Sequence, residues 1–501
     1  MNDPLLLGID LGTSSAKAGL FTPAGRRVAS ATAAYSYRVP HPGWAEMDAE
    51  DWWEATCRLV GALLAQAGAR PESVVGIGVS GQVPTLLPVD GAGHPVGPAI
   101  LWLDARSEVE AQEIADRLGR ESCERIGGNR IHPYYLGPKL LWFMRHRRDV
   151  FLRTKRLLQS HSYPVLRLTG EVVTDYSCGA LCAPLYDGPA RAWAGTICNA
   201  LDISTDLLPS LCPAHGLAGT VTRAAAEAAG LRAGTPVAVG GGDFACSTLS
   251  AGVLEEGEAC LMLGTAGNLI MPLKEPRFDT RLINSHHVGC DRFLALGGVL
   301  SGAVIGWCRA TLGAEERSFG RLEAEAAAVP PGAEGLVLLP HLQGTRSPTW
   351  NVRARGVLFG LGLQHGRGHL YRAALEGVGF SLRECQAVVE EQGLRLTEVV
   401  AVNGGARSRL WRQILADILG VPLVYAPEDP GAPGGAAILA GIAAGVLDGA
   451  EAARAWRGRM ERHDPDPATH RRYEELFRLY LRLYEDVRAE FDRPASGAAV
   501  R

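Results

Sequence analysis

Two strand–turn–strand segments, one in each half of the chain, constrain its fold more than any other feature. The first is DLGTSSAK, from Asp10 to Lys17, and the second is MLGTAGNL, from Met262 to Leu269. In both, an apolar run enters a turn of glycine, threonine and small residues, and a second run leaves it, which is typical of a β-hairpin. The repetition predicts two similar domains, residues 1–245 and 246–501, that flank a cleft. The alternative is that two such turns coincide by chance.

Apolar periodicity around these turns predicts an α/β fold in which each half has a mixed sheet, built first from hairpins and then from helix crossovers. The predicted strands cover residues 5–10, 17–21, 27–35, 73–79, 85–89, 99–103, 236–239, 259–263, 292–296 and 398–402. A first helix begins at the N-cap Asp48. The later predicted helices cover residues 302–311, 319–328, 369–391, 408–419, 432–444 and 468–491.

The glycine turns are candidates for binding phosphate. Gly12, Thr13 and Ser14 in the first turn, and Gly264 and Thr265 in the second, would let backbone N–H groups approach an anion closely. Lys17 is placed to offset phosphate charge, and Asp10 could hold Mg²⁺, which prefers carboxylate and phosphate oxygens. The alternative for the first turn is a simple hairpin in which Asp10 caps local backbone donors.

A third glycine cluster, NGGARS, runs from Asn403 to Ser408 between a predicted strand and a predicted helix. The bare backbone of Gly404 and Gly405, followed by Ala406, could pack against a flat base. An ordinary strand-to-helix turn is the alternative. Because open α/β sheets bind ligands outside the ends of their strands, three such turns together indicate one ligand site.

Asp243 follows three glycines at the end of an apolar strand, in the sequence GGGDF. The glycines leave open space beside the carboxylate, which a general base needs if a substrate hydroxyl is to come within about 3 Å. In phosphoryl transfer the protein orients the acceptor hydroxyl, accepts its proton and neutralises charge. We therefore predict Asp243 as the catalytic base. The alternative is that Asp243 only caps the following helix.

Composition limits the partners of the protein. The 50 Lys and Arg residues against 54 Asp and Glu residues give a net charge of −4, so a nucleic-acid surface is not indicated. No apolar run reaches the roughly 20 residues that span a bilayer, and no basic flank marks a signal peptide. The 11 cysteines contain no CxxC pair, which favours free thiols in a reducing compartment. We expect a cytoplasmic protein; a homodimer is allowed, although no stripe of sequence indicates an interface.

The segments taken together resemble the FGGY family of carbohydrate kinases over nearly the whole chain, and within it they are most similar to the xylulokinases. The matching segments are GIDLGTSSAK, PHPGWAEMDAEDWWEA, GVSGQ, PAILWLDAR, GPKLLWFMRH, GGGD, LGTAGN, PHLQGTRSP, GVLFGLGLQHGRGHLYRAALEGVGF and NGGARSRLWRQILADI. Single segments are weak, but in this order they are highly specific.

The resemblance implies an actin-like (ribonuclease H-like) ATPase fold and phosphorylation of a sugar by Mg-ATP, most simply xylulose to xylulose 5-phosphate. It implies that Asp10 and Asp243 lie at the metal, that Asp243 is the general base, and that Gly404, Gly405 and Ala406 form the adenosine site. Lys139 falls in the first family signature, where only a salt bridge is expected of it, and Arg346 is interpreted as a solvated loop residue.

The predicted sugar site departs from the xylulokinase pattern. Those enzymes typically carry Met-His after the glutamine equivalent to Gln82 and Asn after the catalytic aspartate; here the residues are Val83, Pro84 and Phe244. Losing a buried hydroxyl partner costs about 1–3 kcal/mol, which can reorder substrate preference. A different ketose, a deoxy sugar or a polyol is therefore an alternative acceptor. The remaining sugar contacts are assigned to Gln82, Trp102, Asp104 and Arg106.

A protein of another class is also compatible with the fold. It is a non-catalytic actin-like ATP-binding protein, in which the bound nucleotide switches a partner surface. Asp243 in an open glycine pocket favours the kinase.

Overall fold

The computed structural model describes residues 3–313 and 319–491. The strands of the first half are β1 Leu5–Leu11, β2 Ser15–Phe21, β3 Arg27–Ala34, β4 Glu46–Met47, β5 Val74–Gly81, β6 Leu87–Val89, β7 Ala99–Ile100, β8 Arg156–Leu158, β9 Val173–Asp175, β10 Tyr186–Asp187, β11 Ala192–Trp193, β12 Ser210–Cys212, β13 Leu217–Thr220, β14 Pro236–Ala238 and β15 Gly241–Gly242. Its helices are α1 Ala49–Ala67, α2 Glu108–Leu118, α3 Arg120–Gly127, α4 Leu136–His146, α5 Arg148–Phe151, α6 Ser162–Thr169, α7 Tyr176–Ala180, α8 Gly195–Ala200, α9 Arg223–Ala229 and α10 Asp243–Ser250.

The second half has the same mixture of elements. Its strands are β16 Glu258–Leu263, β17 Ala266–Leu273, β18 Ile283–His286, β19 Phe293–Leu300, β20 Val337–Leu339, β21 Val357–Phe359, β22 Glu398–Val402, β23 Leu423–Tyr425 and β24 Glu461–His463. Its helices are α11 Gly302–Thr311, α12 Phe319–Ala327, α13 Arg367–Glu390, α14 Arg409–Leu419, α15 Ala432–Ala443, α16 Ala452–Trp456 and α17 Pro467–Phe491. Among the helices described here, none combines the length and the hydropathy needed to span a bilayer.

The two large sheets share one strand order. In the first, β1 is antiparallel to β2 and parallel to β5, and β2 is antiparallel to β3. In the second, β16 is antiparallel to β17 and parallel to β22, and β17 is antiparallel to β19. Each glycine-threonine turn therefore joins the central antiparallel pair of its sheet. The predicted mixed sheets of two similar halves are confirmed, whereas the boundary at residue 245 stays a prediction.

The predicted strand over residues 99–103 is wrong in length and in place. Only Ala99–Ile100 is a strand, and it pairs with β4 outside the first sheet. The chain turns directly afterwards because the Asp104 carboxylate accepts hydrogen bonds from the backbone N–H groups of Ala45, at 2.5 Å, and Arg106, at 3.0 Å. The strand predicted over 85–89 also lies outside the first sheet, as β6 paired with β8.

Helix α15 connects the two halves at the level of the backbone. It belongs to the second half, yet it packs on β1 and β5 of the first sheet. A β-carbon added to Gly8 would stand 1.8 Å from the Pro433 carbonyl oxygen, and one added to Gly78 would stand 2.0 Å from that of Ala436. Glycine in the strands and alanine and glycine in the helix are therefore required for this approach.

Candidate active site

A cavity of about 550 Å³ lies between the two halves and is lined by residues of both. The first half contributes Asp10, Gly12, Thr13, Ser14, Ser15, Lys17, Asp243 and Ser247. The second half contributes Met262, Thr265, Asn403, Gly404, Arg407, Tyr425, Ala426, Pro427, Asp429, Pro430, Gly431, Ala432 and Pro433. The three glycine turns and Asp243 thus meet at one site, although nothing in the sequence order requires it.

The first turn presents its backbone to this cavity. It is closed by a hydrogen bond from Gly12 N–H to the Ser15 carbonyl oxygen at 3.0 Å, and the Tyr35 hydroxyl donates to the Gly12 carbonyl oxygen at 2.7 Å. Among the described residues, neither Thr13 nor Ser14 has a hydrogen-bond acceptor for its amide N–H. Two amide donors therefore remain for an anion, and Lys17 stands beside them as the cross-strand neighbour of Asp10.

The second turn is held from behind by the next helix. Gly302 at the start of α11 donates its N–H to the Gly264 carbonyl oxygen at 2.9 Å, and a β-carbon there would stand only 2.4 Å from that oxygen. Thr265 lines the cavity, whereas Gly264 is not among the lining residues. Gly264 therefore shapes the turn, and Thr265 is the member that faces the cavity.

The third cluster divides in a similar way. Gly404 lines the cavity with open space beside it, next to Asn403 and Arg407. Gly405 packs against Leu263 and Trp411, and Ala406 is fully buried. Of the three residues predicted for the adenosine site, only Gly404 therefore faces the cavity. Gly405 and Ala406 pack against the protein interior behind it.

Asp243 is the first residue of α10, and its Oδ1 atom accepts the N–H of Phe244 at 2.7 Å. The N-cap of this helix is Gly242, so the alternative in which Asp243 is merely the cap is wrong. Burial, and then the charge of Asp10, raise the pKa of Asp243 to about 7. A carboxyl group with this pKa can both accept and release a proton near neutrality.

Asp10 lies in the same cavity, at the end of β1. The Ser80 hydroxyl donates to its Oδ1 atom at 2.9 Å. Burial raises the pKa of Asp10, while the Ser80 hydrogen bond and the Lys17 charge partly oppose this. Two carboxylates are therefore held close together in a partly desolvated site, an arrangement that a cation would stabilise.

The predicted sugar residues Gln82 and Trp102 form a small network with the first turn. Trp102 donates its Nε1–H to the Thr13 hydroxyl oxygen at 3.0 Å, and that hydroxyl faces Gln82 Oε1 at 3.5 Å. Gln82 is almost completely buried, and its Nε2 atom has no hydrogen-bond partner among the described residues. Gln82 therefore retains a donor that a ligand hydroxyl could use.

Val83 and Phe244, which we call the apolar wall, flank Gly242, the residue before Asp243; neither they nor Gln82 and Trp102 are among the residues that line the cavity. A β-carbon added to Gly242 would contact Phe244 at 2.8 Å and Val83 at 3.0 Å, so the two side chains flank the same glycine. Pro84 is also buried. The Tyr134 hydroxyl donates to the Val83 carbonyl oxygen at 3.3 Å, and the Tyr134 ring lies edge-on to Trp102.

Asp104 and Arg106 do not belong to this wall. Their side chains are 0% and 1% exposed, and they form an ion pair at 2.7 Å that Glu46 extends through a contact of 2.8 Å with Arg106. The Arg106 guanidinium also stacks 3.7 Å above the ring of Trp44. Their polar atoms are bound to protein partners, so in this structure the two residues hold the turn that carries Trp102, and a contact with the sugar stays a prediction.

Sequence reasoning missed two residues near Asp243. The Arg346 guanidinium lies 5.6 Å from the ring of Trp102. Burial raises the pKa of Tyr134 to about 12; the charge of Arg346 opposes this increase and that of Asp243 adds to it. No local pattern in the sequence distinguishes Tyr134. Arg346 belongs to the PHLQGTRSP segment, so the family resemblance could have identified it, but an arginine on a loop is usually solvated.

Lys139 also differs from the prediction. Its ammonium group donates to the carbonyl oxygens of Pro133, at 2.5 Å, and Tyr134, at 2.7 Å, and has no ion-pair partner among the described residues. Burial lowers the pKa of Lys139 to about 7. The expected salt bridge is therefore replaced by two backbone contacts, which fix the loop that carries Tyr134.

Comparison with known proteins gives these features a common context. The model of the FGGY family of carbohydrate kinases, N-terminal domain, matches residues 5–250, and that of the C-terminal domain matches residues 259–444. The chain is 35% identical to the xylulose kinase of Escherichia coli (strain K12) over 96% of this chain and 99% of that protein. It is 28% identical to the gluconokinase of Bacillus subtilis (strain 168) over 95% of each chain.

A solved structure supports the same relationship. The crystal structure of xylulose kinase from Rhodospirillum rubrum superposes with a TM-score of 0.90, at 33% identity, over 98% of this chain and 100% of that one. The predicted actin-like α/β fold and the predicted sugar kinase are thereby confirmed, and the non-catalytic switch protein is set aside. The chain belongs to the FGGY family of carbohydrate kinases.

Proposed function

We propose that the protein transfers the γ-phosphoryl group of ATP to a hydroxyl of a ketose, with xylulose as the first candidate and xylulose 5-phosphate as the product. The observation that carries this proposal is the position of Asp243. Its carboxylate faces the cavity lined by the phosphate-binding turns, and its pKa is raised to about 7.

In this mechanism the acceptor hydroxyl gives its proton to Asp243 as its oxygen forms a bond to the γ-phosphorus. The bond between that phosphorus and the bridging oxygen breaks, and the electron pair leaves with ADP. The amides of Thr13 and Ser14 and the side chain of Lys17 would bind phosphate oxygens. Thr265 would approach the phosphates from the other half, with Gly404 beside the adenosine.

The residues present fit a bound Mg²⁺. Asp10 and Asp243 share one cavity, and burial raises the pKa of both. At Asp10, the Ser80 hydrogen bond and the Lys17 charge oppose this increase in pKa. We propose that Asp10, assisted by Asp243, holds the ion when it accompanies ATP. The ion would neutralise phosphate charge.

Xylulose is favoured as the acceptor because two xylulose kinases are 35% and 31% identical to this chain over 96% of its length. The test is the release of ADP by the purified protein with Mg-ATP and a panel of pentuloses, hexuloses, polyols and gluconate. We expect xylulose to give the highest kcat/KM, with no release in the absence of sugar. If no member of the panel stimulates release, the proposal is wrong.

A different acceptor is the second candidate, and the apolar wall of Val83 and Phe244 favours it. A methyl or methylene group of a deoxy sugar would lie against these side chains without leaving a hydroxyl unpaired. The same panel should therefore include deoxyketoses. A kcat/KM for a deoxyketose at least tenfold above that for xylulose would replace the first candidate with the second.

A further inference from the structure

An arginine of the second half reaches the residues assigned to the sugar in the first half. The Arg346 guanidinium lies over the ring of Trp102, and the Tyr134 ring lies edge-on to the same tryptophan. Arg346 is half-buried, and its guanidinium has no hydrogen-bond or ion-pair partner among the described residues. Because polar groups taken out of water are usually paired, its five N–H donors are available to a ligand.

A closed loop fixes the position of this side chain. Thr345 donates its N–H to the Asn351 carbonyl oxygen at 2.8 Å, and Asn351 donates its own N–H to the Thr345 hydroxyl oxygen at 2.9 Å. Trp350 donates its N–H to the Arg346 carbonyl oxygen at 2.6 Å. The guanidinium lies against Gly298 of β19, where an added β-carbon would stand 3.5 Å from Nη2. A donor held in this way is already oriented before a ligand binds.

Tyr134 relates Arg346 to the proposed general base. Burial is the largest cause of the raised pKa of Tyr134, the charge of Arg346 opposes the increase, and that of Asp243 adds to it. Tyr134 therefore lies within electrostatic reach of both side chains. Because the guanidinium has no ion-pair partner among the described residues, it does not neutralise Asp243. The two groups are free to contact different parts of one acceptor.

The proposed acceptor has a second end that suits a guanidinium. A 2-pentulose closes its furanose ring through O5, so a sugar that is phosphorylated at O5 must react in its open-chain form. The far end of that chain is an α-hydroxyketone, with the C1 hydroxyl and the C2 carbonyl oxygens on adjacent carbons. The planar fork of an arginine presents two N–H groups side by side to such a pair of oxygens.

We propose that Arg346 binds the α-hydroxyketone end of the acceptor through two N–H groups, and that it thereby determines which sugars bind. This inference rests on the proposed function, because it requires a ketose whose phosphorylated hydroxyl lies at Asp243. The Trp102 ring, 5.6 Å from the guanidinium, supports the cation from the other side of the acceptor site.

The test is the kinetics of ADP release with saturating Mg-ATP and varied xylulose. Arg346→Ala should raise KM for xylulose at least about 10-fold, because hydrogen bonds to a charged group are lost, and should leave kcat nearly unchanged. Arg346→Lys keeps the charge but not the planar fork, so its KM should lie between the two. The control Arg355→Ala, at an exposed arginine of the same segment, should behave as the wild type.

Two further measurements separate direct contact from a structural role. 1-Deoxyxylulose lacks the C1 hydroxyl, so the ratio of kcat/KM for xylulose to that for 1-deoxyxylulose should fall at least about tenfold from the wild type to Arg346→Ala. Added guanidinium chloride at millimolar concentration should lower the KM of Arg346→Ala and leave that of Arg355→Ala unchanged.

An unchanged KM in Arg346→Ala, or an unchanged ratio for the two sugars, would overturn the proposal. A loss confined to kcat would overturn it as well, because it would place the guanidinium at the transferring phosphoryl group. Failure of the proposed function is distinct, since the wild type itself would then release no ADP with any sugar. If Arg346→Ala does not fold, Arg346→Lys decides, and a wild-type KM in that variant would contradict the contact.

Discussion

Asp10 and Asp243 occupy the same partly desolvated cavity, so the negative charge of each makes ionisation of the other less favourable. The repulsion between the two carboxylates destabilises the folded protein when no ligand is bound. It also leaves Asp243 able to exchange a proton near pH 7. A site that also binds polyphosphate must then be neutralised by cations, which is the role proposed for Lys17 and Mg²⁺.

Replacing the carboxylate tests the proposed general base. Asp243→Ala should lower kcat by at least about 100-fold, the lower limit for the loss of a general base, while ATP still binds. Turnover with the best acceptor and nucleotide affinity by calorimetry are the measurements. Asp202→Ala, at a side chain that is 83% exposed, serves as the control and should behave as the wild type. Normal turnover by Asp243→Ala would contradict the assignment.

The raised pKa of Asp243 also predicts how stability depends on pH. The folded protein binds the proton of this carboxyl more tightly than the unfolded chain, in which the pKa is 3.8. The stabilisation that this bound proton gives the folded protein is therefore lost as the pH rises from about 4 to about 7. Asp243→Asn, which mimics the protonated form, should melt at a higher temperature than the wild type at pH 8, without Mg²⁺ or nucleotide.

This difference in melting temperature between Asp243→Asn and the wild type should shrink as the pH is lowered toward 4. Thermal unfolding at several pH values in the presence of a chelator measures it. A difference that is constant across this range would mean that the carboxyl group titrates normally in the folded protein.

The residues that line the cavity were predictable where a local pattern defines them. Gly12 to Ser14, Thr265, Gly404 and Asp243 all follow apolar strands, and all face the cavity. Arg346 and Tyr134 were missed, and the ion pair of Asp104 was not foreseen, because their neighbours come from distant segments. Whether a charged side chain meets a ligand or another charge, as Asp104 meets Arg106, is decided only by tertiary packing.

At the scale of elements, most boundaries follow from the alternation and capping of the sequence. The predicted helix 302–311 and strand 398–402 are reproduced without change, and Ser408 caps α14 by accepting Trp411 N–H. The strand predicted over 99–103 failed because an apolar run gives no indication that a buried carboxylate, Asp104, will turn the chain.

The packing of α15 on the first sheet gives a prediction at this scale. Gly78→Ala would place a β-carbon 2.0 Å from the Ala436 carbonyl oxygen, so the helix and strand must separate. We expect the free energy of unfolding to fall by at least about 2 kcal/mol. Gly61→Ala, in the exposed face of α1 with no atom within 4 Å, should instead raise it by about 0.5–1 kcal/mol.

Chemical denaturation of both glycine variants measures these changes. Equal effects at Gly78 and Gly61 would show that the close approach of α15 does not contribute to stability.

At the scale of the whole molecule, the cavity is lined by residues of both halves, and we expect the two halves to close on a bound sugar. Closure on a sugar would exclude water, which could otherwise accept the phosphoryl group. A confirmed acceptor with a non-hydrolysable ATP analogue should therefore slow tryptic cleavage after Arg407, which lines the cavity. A sugar that is not phosphorylated is the control. Equal cleavage rates with both sugars would argue against closure.

The close fit of residues 432–443 against Gly8, Gly76 and Gly78 has a practical consequence for engineering. The first half is not an autonomous module, because the piece that covers one face of its sheet is encoded near the other end of the gene. A chimaera that takes its acceptor specificity from a relative would have to transplant this helix together with residues 1–245. Expressed alone, residues 1–245 would expose to solvent the face of the sheet that α15 covers, and the fragment would be prone to precipitate.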